Sequence, residues 1–368
     1  MSLIINYNDK KFVTLAQSVF DELFRRDKDL ETQIEDRTKI LIYDDITYNL
    51  SHLLTAVHFN DPAILSNYAR WLYALVCNHS NGLSKARIMD YLLEQYEIIT
   101  QSVSELGQEA ISGPDKEKAL RYLELARKEV AETATDLNES ASFLEGEHYE
   151  LRKLYLNALM SNRTREAFEL ISNAYKDGIP LTVIYEEVLA KVMYEIGALW
   201  HQDVITVDKE HYATSVTQTI MSAFYDEIFA RPKTNLTLIS CAVGSELHEL
   251  GIRMLSDIFE YNGWDTYYLG AALPHTAILD AVEEYRPHLV ALSVTMPPYL
   301  AACEKIVSAL KTTYPDVKIA VGGQAFTRTN NLWEQWDIDY YAPTARDLLT
   351  WAEKSFDGKL LREGPWNG

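Results

Sequence analysis

Two hydrophobic periods divide the chain. Up to about residue 147, apolar positions recur every three or four residues, the period of a helix buried along one face. Helices are predicted at 9–27, 37–59, 62–79, 84–107 and 115–145. Asn60-Asp61-Pro62, Ser80-Asn81-Gly82 and Ser112-Gly113-Pro114 break the pattern between them. A second helical set follows at 150–161, 164–177, 181–200 and 208–229. Gly178 and Pro180 supply the stop and restart within it. Leu181, Ile184, Val188, Val192 and Ile196 form a stripe that reads as core. After Arg231-Pro232-Lys233, a hinge, the pattern changes. Short β-branched runs at 236–243, 265–269, 288–295, 317–321 and 338–342 alternate with helical patterns. That alternation is a βαβ series and predicts a doubly wound parallel sheet.

The expectation is therefore a multi-domain chain of α plus α/β class. An all-helical domain spans 1–147, a four-helix bundle 148–232, and a flavodoxin-like parallel sheet 233–368. A length of 368 residues suits two to three domains, and 47% hydrophobic residues is the share of a folded protein. The net charge of −20 argues against direct nucleic-acid binding, which needs a basic surface. Cys77, Cys241 and Cys303 show no metal-binding spacing and fit a reducing cytoplasm. The first residues lack the layout of a signal peptide, and no apolar run nears membrane-spanning length. A cytoplasmic protein without a membrane partner is expected.

The chemistry concentrates at the ends of the expected strands. Glu246-Leu247-His248-Glu249-Leu250-Gly251 follows the first run directly. A carboxylate two residues before a histidine can orient the ring and raise its basicity for metal binding. Ser293 and Thr295 lie in the third run, and Gly322-Gly323 follow the fourth. Ligands of doubly wound sheets bind beyond the carboxyl ends of the strands, where all of these fall. The order resembles the cobalamin-binding motif, acidic-x-His-x-x-Gly followed by a serine strand and a glycine pair. That resemblance implies that His248 is the lower ligand of a corrinoid cobalt, with Glu246 behind it. It also implies that Gly251, Ser293, Thr295, Gly322 and Gly323 bind the cofactor, the displaced nucleotide tail entering a slot beside the glycine pair. Glu246 stands where aspartate is commoner, and Thr295 where leucine is commoner.

A second signature lies upstream. Trp200-His201 closes one expected helix and Glu210-His211 opens the next, with Asp208 and Glu210 placed to meet the positive end of its dipole. This Trp-x9-Glu-His pattern resembles light-sensing cobalamin proteins of the CarH repressor family. The likeness implies that Trp200, Glu210 and His211 line an adenosyl pocket over adenosylcobalamin. It further implies that His201 is an upper cobalt ligand of the lit state. In the first domain, Tyr43–His58 is rich in tyrosine and histidine, and Tyr68, Trp71 and Tyr73 follow. Each alone reads as core, with His52 or His58 a satisfied polar partner. The domain order is also similar to that of photocobilins, which pair the corrin with biliverdin.

These resemblances imply a photoreceptor rather than an enzyme. Light-dependent homo-oligomerisation or an unidentified protein partner would carry the output. The alternative is a corrinoid methyl carrier of a methyltransferase system, which needs His248 but not Trp-x9-Glu-His. An adenosylcobalamin mutase would need a substrate barrel of about 250 residues, for which the N-terminal region has no room.

Overall fold

The computed structural model describes residues 9–28, 34–80, 83–111, 113–132 and 141–360. The helices α1 (Lys10–Arg26), α2 (Asp36–Phe59), α3 (Ala63–His79), α4 (Lys85–Ala110) and α5 (Gly113–Glu132) match the first predicted set. Asp9 caps α1 by accepting from the Lys11 N–H at 2.8 Å and the Phe12 N–H at 3.4 Å. Phe12, Leu15, Ala16, Val19 and Leu23 form its buried face. At the first predicted break, Asn60 is left-handed (φ 51°). Asp61 then accepts the Ala63 N–H at 3.0 Å and opens α3. Of the last predicted helix, 115–145, residues up to Glu132 and α6 (Ala141–Leu144) are helical, and residues 133–140 lie outside the described residues.

The chain separates into two compact units. Unit 1 gathers α1–α5 together with Thr295–Ala301 and Gln324–Gln335. Its α2 is unusually polar inside, burying Thr47, Asn49, Ser51, His52 and Thr55. Apart from the Ser51 hydroxyl, these groups have partners within the unit: Asn49 Nδ2 donates to Gln95 Oε1 at 2.9 Å, and the Tyr96 hydroxyl donates to Asn49 Oδ1 at 2.6 Å.

Unit 2 holds both a helical bundle and the sheet. Its helices are α7 (Tyr149–Met160), α8 (Thr164–Lys176), α9 (Leu181–Val183), α10 (Lys191–His201), α11 (Val207–Ser222) and α12 (Tyr225–Phe229). The predicted stripe of Leu181, Ile184, Val188, Val192 and Ile196 is buried, with Tyr155, Ile171 and Ile220 opposite. Two predictions need correction. The helix expected at 181–200 is not α-helical throughout, because Ile184–Ala190 widens into a π-helix. The buried Arg152 guanidinium is bound there by three carbonyls, those of Phe143, Glu145 and Glu187. The helix expected at 208–229 breaks at Ala223–Phe224, where Phe224 turns inward to the core.

The strands are β1 (Thr237–Ala242), β2 (Asp265–Tyr268), β3 (Leu289–Ser293), β4 (Lys318–Gly322) and β5 (Tyr340–Ala342), all parallel in the order β2-β1-β3-β4-β5. This is the flavodoxin-like order, whose ligand crevice lies beyond the carboxyl ends of β1 and β3. The helices α13 (Leu250–Tyr261), α14 (His275–Tyr285), α15 (Leu300–Thr313) and α17 (Ala345–Leu360) alternate with the strands; the short α16 (Gln324–Thr327) belongs to unit 1. Phe259, Trp264 and Phe356 pack ring against ring behind the sheet. The bundle is seated on the sheet domain through Met254 and Ile258 of α13, which join the bundle core.

Candidate functional site

The β1–α13 loop carries the expected lower ligand. β1 ends in register with Ser293, and the Val243 N–H donates to the Ser293 carbonyl at 2.9 Å. Gly244 (φ 84°) turns the chain out of the sheet. Glu246 then points inward and is fully buried, while the His248 side chain stays 58% exposed, with its Nδ1 3.7 Å from Glu246 Oε2. That is too long for a hydrogen bond, so the carboxylate lies beside Nδ1 without engaging it. In a neutral ring with its proton on Nδ1, Nε2 is the nitrogen that could ligate a metal. Leu247 between them is 68% exposed, an apolar side chain on the rim of the crevice.

The glycines behave differently from one another. A Cβ at Gly251 would meet no atom within 4 Å, so the space beside the start of α13 is open. Gly323 has φ +100°, and a Cβ there would lie 2.3 Å from the Val294 carbonyl oxygen. Neither the conformation nor the space admits a side chain. Gly322 is as tightly held, 2.7 Å from the Ala342 carbonyl oxygen, because β4 and β5 pair at this point. The glycine pair lets backbone close on backbone at the strand ends, where Ser293 pairs with Gly322 across β3 and β4. Thr295 lies two residues beyond Ser293 and opens a segment of unit 1.

The second predicted group sits on the α10–α11 hairpin. Trp200 and His201 are the last two residues of α10, both half-buried. The helix closes with Gln202 and Val204 N–H groups donating to the carbonyls of Ala198 and Leu199, each at 2.9 Å, around a left-handed Asp203 (φ 56°). Thr206 starts α11, placing Asp208 and Glu210 in its first turn. Glu210 Oε1 accepts from Thr214 Oγ1 at 3.1 Å, and its Oε2 stands 3.7 Å from Nδ1 of His211. The His211 side chain is 72% exposed. The hairpin thus repeats the arrangement of the β1–α13 loop, an anchored carboxylate beside an exposed imidazole. Val204 and Val207, in and just after the connecting turn, are more than half exposed. Exposed apolar side chains on both loops suit a large ligand with apolar surface.

The donor set constrains the metal. Among the described residues, no three His, Cys, Asp or Glu side chains gather to hold a bare ion. A single imidazole suits a metal that arrives with its other ligands in place, as cobalt does in a corrin. The open space at Gly251 fits such a group.

Comparison with known proteins identifies the domains. A family model described as B12 binding domain matches residues 237–349, and another of that description matches 151–225. This is a cobalamin-binding protein. The cobalamin-binding chain is 32% identical over 89 residues to the HTH-type transcriptional repressor CarA of Myxococcus xanthus, which covers 24% of this chain and 31% of the repressor. It therefore spans about a third of that relative. The monomethylamine corrinoid protein of Methanosarcina barkeri superposes with a TM-score of 0.50 at 17% identity, covering 57% of this chain and 100% of that one. At that identity the likeness is one of fold. A cobalamin-binding protein of Desulfitobacterium hafniense DCB-2 gives a TM-score of 0.31 at 19% identity, covering 55% and 97% of the two chains.

Two features escaped the sequence reading. Ala272, in the loop after β2, holds φ +58°, a costly conformation for a residue with a side chain. The short run Leu269-Gly270-Ala271-Ala272-Leu273-Pro274 gave no sign of it. The second is Asp257, buried on α13 between Met254 and Ile258. It accepts from the Tyr185 hydroxyl of the π-helix at 3.2 Å, tying bundle to sheet. Burial pushes its carboxyl up to about 7, against the opposing pull of Arg253 and Tyr185. A charged residue inside an apolar helical stripe was the available signal. His52, in contrast, is buried and stacked on Tyr68 at 3.8 Å, its Nδ1 2.7 Å from the Tyr48 carbonyl oxygen. It is a satisfied core residue, as the simpler reading of the aromatic segment expects.

Proposed function

We propose that this protein is a light sensor that uses adenosylcobalamin and signals by a change of conformation or assembly rather than by catalysis. The observation that carries the proposal is the α10–α11 hairpin. Trp200, His201, Glu210 and His211 lie on two adjoining helix ends, next to an exposed turn. A methyl carrier has no need of those four residues, whereas a fitted adenosyl pocket does. The similarity to the repressor CarA supports the same reading.

When bound, adenosylcobalamin supplies a cobalt–carbon bond that light can break. The residues around it have separate tasks. His248 would hold cobalt from below, with Glu246 fixing the ring. Ser293, Thr295 and the glycine pair would receive the nucleotide tail. Trp200, Glu210 and His211 would wall the adenosyl group, and His201 would be available as a replacement ligand once that group has left. Biliverdin as a second chromophore in unit 1 is part of the proposal. Its support is Asp45, whose carboxyl burial pushes up to about 7 among Tyr48, Tyr91 and Tyr96. That group suits the ring N–H donors of a linear tetrapyrrole.

The test is an absorption spectrum of the adenosylcobalamin-loaded protein in the dark and after green light. A stable, protein-bound, histidine-ligated product supports the sensor. Photolysis that merely hydrates or releases the corrin favours a corrinoid methyl carrier, the reading that the fold shared with the monomethylamine corrinoid protein supports. His201→Ala should leave dark binding intact and change the lit spectrum; an unaltered lit spectrum removes His201 from the mechanism. A red-absorbing band in the purified protein reports the bilin.

A further inference from the structure

Among the described residues, no anion pairs with the guanidinium of Arg328 in unit 1. Arg328 follows α16 in the Gln324–Gln335 segment, and the backbone on both sides of it is pinned. Asn67 Nδ2 donates to the Arg328 carbonyl at 3.0 Å. Two residues on, the Asp61 carboxylate accepts the Asn330 N–H and the Asn330 Nδ2, each at 2.7 Å. Asp61 is thereby fully engaged, since it also accepts the Ala63 N–H at 3.0 Å. The acid closest in this network is thus committed to backbone and amide.

The Arg328 side chain is half-buried, and burial lowers its pKa with no carboxylate opposing the shift. No hydrogen bond or ion pair to that side chain occurs among the described residues. Its charge is felt by the buried ring of His52, which is held neutral, with a pKa lowered to about 3 chiefly by burial and further by Arg328. A guanidinium withdrawn from water without a counter-charge is unfavourable. Its planar fork of donors matches the two oxygens of a carboxylate or phosphate. We propose that Arg328 anchors an oxyanion-binding site in unit 1, which takes the carboxylate or phosphate group of a ligand.

The proposal stands independently of cobalamin; only one arm of its test rests on the bilin reading. In the first arm, inorganic phosphate is titrated into the full chain at constant ionic strength. The wild type should gain about 2–4 °C in melting temperature, saturably, and Arg328→Met should gain none. In the second arm, biliverdin is compared with its dimethyl ester. Tighter binding of the free acid by about 30-fold, lost in Arg328→Met, assigns the oxyanion to a chromophore carboxylate. Either response supports the site and names its source. If neither phosphate nor the free carboxylates respond to residue 328, the proposal is overturned. Without ligand, Arg328→Met should melt no lower than wild type, and a lower value would show that the guanidinium is a structural group and overturn the site. Should Arg328→Met fail to fold, Arg328→Lys keeps the charge and removes the fork, and must still weaken the response. If biliverdin binds neither protein, the bilin reading fails while the phosphate arm still decides the site.

Discussion

Glu246 and Glu210 are two acids with one arrangement and opposite settings. Each places a carboxylate oxygen 3.7 Å from an imidazole Nδ1, yet Glu246 is fully buried and Glu210 is not. A buried carboxylate is fixed in place and can orient the ring beside it, as the ligand of a metal requires. Glu246→Gln should therefore lower cobalamin affinity about 10–100-fold with the fold retained. Equilibrium titration with circular dichroism checks this, and an unchanged affinity would leave Glu246 a packing residue. At this scale the sequence was highly legible. The spacing placed Glu246, His248 and Gly251 between β1 and the first turn of α13, and the glycine pair at the end of β4. It did not reveal that Gly323 is compelled by the Val294 backbone, because that contact joins residues on neighbouring strands. Nor could spacing show Ala272 in a left-handed conformation.

At the scale of elements, the hydrophobic period located the helices and strands to within a few residues at most ends. It failed where a buried polar contact overrides the period. The π-helix at Ile184–Ala190 coincides with the Arg152–Glu187 contact and presents Tyr185 to Asp257 of α13. The Tyr185–Asp257 pair joins the bundle to the helix that leads out of the His248 loop. It also carries a pH dependence. The folded pKa of Asp257, about 7, lies above its ordinary value of 3.8. The folded state therefore binds the extra proton between those values, and this group's contribution to stability falls as pH rises through that window. Asp257→Asn keeps an acceptor for the Tyr185 hydroxyl and removes the ionisation. The variant should be about 1–2 kcal/mol more stable than wild type at pH 8, with the difference vanishing near pH 4. Denaturant titrations at the two pH values measure it. A difference that grows toward low pH would mean that the carboxylate is held charged by Arg253.

For the whole molecule, the decisive quantity is a net charge of −20 on 368 residues. Composition cannot assign a partner, but it constrains how copies of this chain meet. Two such molecules repel at long range, and the repulsion is screened within about 10 Å at 0.1 M salt. If illumination drives assembly, as proposed, the interface must overcome that repulsion with apolar or locally complementary contacts. Association of the lit protein should then strengthen as sodium chloride rises from about 20 to 300 mM, since screening reduces the opposing term more than any short-range attraction. Sedimentation velocity on dark and illuminated samples at both salt concentrations measures it. Weaker assembly at high salt would point instead to an interface of opposite charges, with the scarce lysines and arginines gathered on one side. The distinction bears on function, because a salt-strengthened interface responds to whatever exposes apolar surface. The exposed Val204 and Val207 of the α10–α11 turn are the surface that movement of the upper wall would alter first.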